Sequence, residues 1–119
     1  MKIIFLCLIS SLAIQTTTGI AGTWNVVSST ASNITRVEFK NNGAYNCYMG
    51  NAMILSGVYT FDETDSTLII EDDGCLDITG KYKVQLFNNA DSIRFTPISD
   101  DCLARKASVQ SALLSRVKD

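Results

Sequence analysis

Lys81-Tyr82-Lys83-Val84-Gln85-Leu86 is the stretch that decides the fold. Tyr82, Val84 and Leu86 alternate with Lys81, Lys83 and Gln85, so every second side chain is apolar. That is the period of an extended strand, whose successive side chains leave opposite faces. One face meets a core and the other meets water, as in an antiparallel sheet with one wet side. The same period recurs on both sides of this stretch. Downstream, Asn88-Asn89-Ala90-Asp91 turns the chain, and Ile93 and Phe95 alternate with Ser92, Arg94 and Thr96. Pro97, the only proline, is expected to end the strand region, because it cannot donate to a ladder.

Upstream, Leu68 and Ile70 lie between the turns Asp62-Glu63-Thr64-Asp65-Ser66 and Asp72-Asp73-Gly74. Leu55, Gly57, Tyr59 and Phe61 share one face, and so do Tyr45 and Cys47. Asn41-Asn42-Gly43 has the left-handed turn chemistry of a hairpin. Before it, Val37 and Phe39 oppose Arg36, Glu38 and Lys40, and Trp24 and Val26 form the first inward face. Three pairs repeat as Gly-x-Tyr: Gly43 with Tyr45, Gly57 with Tyr59, and Gly80 with Tyr82. A glycine there leaves room for a ring from a neighbouring strand and permits the bend that barrel closure needs.

Past Pro97 the period changes. Val109, Leu113 and Val117 recur at i, i+4 and i+8, with Leu103 and Ala107 on an adjoining stripe. The spacing predicts a helix from about Asp100 to about Ser115, capped by Ser99 or Asp100, with Asp100 and Asp101 at its positive end. Meandering strands followed by one helix predict an all-β domain: a small antiparallel up-and-down barrel of about 7–8 strands with a C-terminal helix.

The chain has 119 residues, of which 1–19 read as an export signal. Lys2 supplies the positive start and Ile3–Ile14 the apolar run, too short for the ~20 residues of a membrane span. Cleavage is expected after Gly19, or alternatively after Ala13. Residues 20–119 then form one domain, with its helix from about residue 100, and no membrane attachment is expected once the signal is removed. A secreted or extracellular location follows, periplasmic in a bacterial host. Without Lys2 the chain keeps 9 of its 10 basic residues and all 12 acidic ones, a net charge near −3. That balance argues against nucleic-acid partners. Histidine is absent, which removes the usual general base and the commonest metal ligand. No cofactor, metal site or catalytic residue is expected, and an enzyme is the least supported class.

Three cysteines follow the signal, and an exported protein pairs them by default. Cys75–Cys102 is the expected bridge, tying the last helix to a strand, with Cys47–Cys75 as the competing pair. Cys47 is then a buried small hydrophobe or a thiol for a partner. Asp62, Glu63, Asp65, Glu71, Asp72 and Asp73 are read as solvated turns, since they lack the spacing of a calcium loop. Asn33-Ile34-Thr35 is a glycosylation sequon, usable in a eukaryotic host.

Gly22-Thr23-Trp24 resembles the Gly-x-Trp opening of lipocalins and their calycin relatives. Cys75, Gly80, Tyr82, Asp101, Cys102 and Arg105 are similar to positions in compact lipocalin-like domains of secreted proteins. The resemblance implies a barrel closed at one end by Trp24, with Arg105 lying across its indole. It departs from typical lipocalins in its short mature chain and in lacking their middle and late motifs. Avidins share the opening but depend on several tryptophans, and this chain has one.

An eight-stranded barrel is just wide enough to be filled by side chains or to hold one small ligand. Inward tyrosines bring hydroxyls that need partners, and an apolar pocket with a few placed hydroxyls is the usual form of a ligand site. The expected function is a secreted lipocalin-like binding protein for a small apolar or amphipathic ligand lined by Tyr45, Tyr59, Phe61, Tyr82 and Phe95. The alternative is a secreted protein-interaction module, or a protease-inhibitor-like barrel, with a filled interior. A pocket of about 300 Å³ or more would support the carrier, and a solid core with exposed apolar residues around Met49–Leu55 or Val109–Val117 would support the alternative, with an extracellular protein as partner.

Overall fold

The computed structural model describes residues 19–118. The expected export signal and both of its cleavage points lie outside the described residues, apart from Gly19. Eight strands follow one another: β1 (Gly22–Ser28), β2 (Arg36–Phe39), β3 (Ala44–Met49), β4 (Ala52–Asp62), β5 (Thr67–Asp72), β6 (Gly80–Phe87), β7 (Ser92–Ser99) and β8 (Leu113–Arg116). One helix, α1 (Leu103–Ser111), lies between β7 and β8. Each strand pairs antiparallel with its chain neighbour, and β8 returns to β1, so the sheet closes into a barrel without a free edge. Among the described residues no helix is long and apolar enough to cross a membrane.

The period-two faces are where the alternation puts them. In β6, Gly80, Tyr82 and Val84 are buried while Lys81, Lys83 and Gln85 are exposed. Trp24, Phe39, Tyr45, Leu68, Ile70, Tyr82, Val84, Ile93 and Phe95 join Ile20, Cys47, Ala112 and Leu114 in one core. Burying each large side chain contributes about 1.5–3 kcal/mol before the entropy of ordering is set against it.

Three expectations need correcting. The helix is shorter than expected, ending at Ser111, and Leu113 and Leu114 belong to β8. Leu114 pairs with Val26 on one side and Ile93 on the other, so barrel closure overrides a helical spacing. The helix N-cap is Cys102, with no side-chain cap; the Asp100 carboxylate instead accepts from the Cys102 N–H at 2.9 Å. Pro97 does not end β7, which runs on to Ser99. It stands opposite Tyr82 beside a register shift, an irregularity of the kind where a ladder tolerates a residue without an N–H.

The two ends of the barrel differ. At one end Trp24 is fully buried and its indole donates to the Ile20 carbonyl at 2.8 Å. The arginine across the indole is Arg116 of β8, 4.3 Å from the ring centroid, and not Arg105. Arg116 also donates to the carbonyls of Ala90, Ala21 and Gly19, clasping the residues just before β1 to the β6–β7 turn. The other end carries the long connections, α1 and the Cys75–Cys102 disulfide, the expected bridge.

Candidate functional site

The cavity opens at the helix end. Its volume is about 200 Å³. Val26, Val37, Phe39, Leu55, Leu68, Ile70 and Leu114 give it apolar walls, and Ala104, Ser108, Val109 and Ala112 bring α1 and its C-terminus over it. Ser29, Ser32 and Ile34, from the β1–β2 connection, complete the rim. Apart from the serines of the rim and helix, the lining is apolar except on one wall, where Tyr45, Asp72 and Arg105 stand together.

That polar wall is built by strand register. Tyr45 pairs with Gly57, and Gly57 pairs with Asp72, so the three lie in one row across β3, β4 and β5. A Cβ at Gly57 would sit 2.0 Å from the Glu71 carbonyl oxygen and 2.7 Å from the Asp72 Cα. Only a residue without a side chain fits there, and across it the Tyr45 hydroxyl donates to Asp72 Oδ2. Gly80 makes a second opening of this kind. Its Cβ would come within 2.6 Å of Asp100 Oδ2, which accepts from the Tyr82 hydroxyl.

Arg105, from the first turns of α1, joins both carboxylates. Its Nε and Nη2 donate to Asp100 at 2.7 and 2.8 Å, a two-pronged contact with the fixed geometry of guanidinium and carboxylate. Nη2 also donates to the Ile78 carbonyl at 2.7 Å, and Nη1 reaches Asp72 Oδ2 at 3.3 Å. Side-chain exposure is 7% for Arg105, 2% for Asp72 and 0% for Asp100, so these charges are shielded from water.

Burial shapes the protonation of this wall. It raises the Tyr45 pKa first, and the hydrogen bond to Asp72 adds to the effect. Tyr82 is raised for the same two reasons, with Asp100 as its acceptor. Burial pushes the Cys47 thiol up to about 12, so it stays a neutral thiol in the cavity wall. For Asp100, burial alone would raise the pKa, but the hydrogen bonds from Arg105, Tyr82 and the Cys102 N–H hold it below the ordinary value. Arg105 is raised, chiefly by its hydrogen bonds to Asp100.

Of the expected lining residues, Tyr45 and Phe95 face the cavity. Tyr82 is buried beneath it and bonded to Asp100. Tyr59 and Phe61 pack on the core nearer the Trp24 end, and the Tyr59 hydroxyl donates to the Lys40 carbonyl at 2.7 Å. Asp72 is not a solvated turn residue but a buried wall group. One signal for this stands in the sequence: Leu68, Ile70 and Asp72 share one phase of the period-two pattern. Arg105 serves the polar wall, not the indole. Asn33 lies exposed in the β1–β2 connection.

No family model, no curated protein and no solved structure matches the chain.

Proposed function

We propose that this chain is a secreted, lipocalin-like binding protein whose cavity takes one small, largely apolar ligand. The observation that carries this reading is the cavity of about 200 Å³, lined mainly by apolar side chains with one charged wall. Its volume falls short of the roughly 300 Å³ expected of a carrier pocket, so the reading is confined to a short-chain or single-ring compound. A closed eight-stranded up-and-down barrel whose opening tryptophan is covered by an arginine supports the lipocalin-like reading. The disulfide, together with the signal-like start of the chain, supports export.

A second reading, the protein-interaction module, is favoured by the β3–β4 hairpin tip. There Met49, Met53 and Ile54 are 46%, 54% and 46% exposed. Methyl NMR during a titration with 1-hexanol separates the two. The carrier reading predicts saturable shifts at Val26, Leu68, Ile70 and Leu114, with Val27 and Met53 unmoved. Shifts confined to the hairpin tip, or none with 1-hexanol, n-hexylammonium or hexanoate alike, would contradict it.

A further inference from the structure

The polar wall also indicates which head group the cavity would take; this rests on the cavity being the ligand site proposed above. Three buried charges meet there, Asp72 and Asp100 against Arg105, a formal sum of −1. No other cationic residue lines the cavity. A net charge shielded from water is costly unless a counter-charge accompanies it.

The hydrogen-bond inventory points the same way. Four of the five N–H groups of Arg105 are committed, to Asp100, Ile78 and Asp72. Asp72 accepts from Tyr45, Arg105 and the Gly74 N–H, three bonds against about four lone-pair sites. The Tyr45 hydroxyl spends its one hydrogen on the bond to Asp72 and keeps lone pairs of its own. Spare capacity on this wall is therefore mostly acceptor capacity, under negative charge. We infer that the cavity selects a small apolar primary amine, its ammonium set against Asp72 and Tyr45 and its hydrocarbon among Leu55, Ile70 and Phe95. A carboxylate head would meet two buried carboxylates, and an alcohol would leave the net charge uncompensated.

Isothermal titration with n-hexylammonium, 1-hexanol and hexanoate, one chain under three heads, tests this on the full secreted chain. The amine is expected to bind at least about tenfold more tightly than the alcohol, as a charge-assisted hydrogen bond requires, and hexanoate most weakly. Asp72→Asn, close in size and still able to accept from Tyr45, should bring the amine to the level of the alcohol. If the alcohol binds and the amine does no better, or hexanoate binds best, the amine assignment is overturned and the cavity remains a ligand site. If none of the three binds, the ligand-site reading itself fails and the assignment with it. The wild-type comparison decides by itself should Asp72→Asn not fold.

Discussion

The Tyr45 hydroxyl reaches Asp72 across two strand spacings because Gly57, between them in register, has no side chain. Gly57→Ala would place a methyl group against the Glu71 carbonyl, a backbone atom that cannot turn aside. Overpacking of this kind costs about 1–3 kcal/mol, and loss of the Tyr45 bond adds to it. Urea denaturation of Gly57→Ala is expected to show a loss of about 3 kcal/mol or more. An unchanged midpoint would mean that the row is looser than described.

The two arginines should separate cleanly. Arg105→Met leaves two buried carboxylates without their cation and is expected to cost about 3–5 kcal/mol. Arg116→Met removes a cation–π contact of about 0.5–2 kcal/mol and exposes the Trp24 indole, so it should lose less stability but alter tryptophan fluorescence. Paired denaturation curves and emission spectra check both. Fluorescence that responds to Arg105→Met alone would return Arg105 to the indole.

Acid should weaken the fold through Asp100. Its folded pKa lies below the ordinary value, so its contribution is present above the unfolded pKa of about 4 and is lost as pH falls through the folded value. The denaturation midpoint is expected to hold from pH 7 to about 5 and drop below about 4, and Asp100→Asn should flatten that drop.

Alkali acts on the tyrosines in the opposite sense. Tyr45 and Tyr82 have raised folded pKa values, so their contribution is full below the unfolded value of about 10 and is lost as pH climbs above it. A phenolate absorbance titration should show these two ionising only with unfolding. Smooth ionisation of all four tyrosines near pH 10 in the folded protein would contradict their burial.

Cys102→Ser opens the Cys75–Cys102 bridge and is expected to lower stability by about 3 kcal/mol. Denaturation under oxidising conditions checks it, and an unchanged midpoint would remove the bridge from the account.

How much of this was legible in the sequence depends on how local each signal is. The inward faces of β1 to β7 were readable because each alternates within a single strand, as Tyr82, Val84 and Leu86 do. β8 was not, since Leu113 and Leu114 are adjacent apolar residues that show no alternation, and the spacing of Val109, Leu113 and Val117 suits a helix. Its strand state comes from distant partners in β1 and β7. Asp72 looked like a turn residue because carboxylates near turns are usually wet, and Asp100 looked like a helix cap. Asp72 holds an inward phase that points to burial. For Asp100 the phase is broken by the irregularity at Pro97, so the sequence pattern alone could not place it. Arg105 was expected over Trp24 from the resemblance alone; Arg116 takes that place because the closing strand sets it opposite Trp24.

The most direct test of the central claim is the native mass of the protein purified from its own host, compared with that of Val109→Trp. Val109 lines the cavity from α1, and an indole there would occupy the space a ligand needs. The account predicts a one-to-one non-covalent adduct on the wild-type chain that is absent from Val109→Trp. Equal adducts on both chains, or a bare wild-type chain that takes up none of the three hexyl probes, would contradict it.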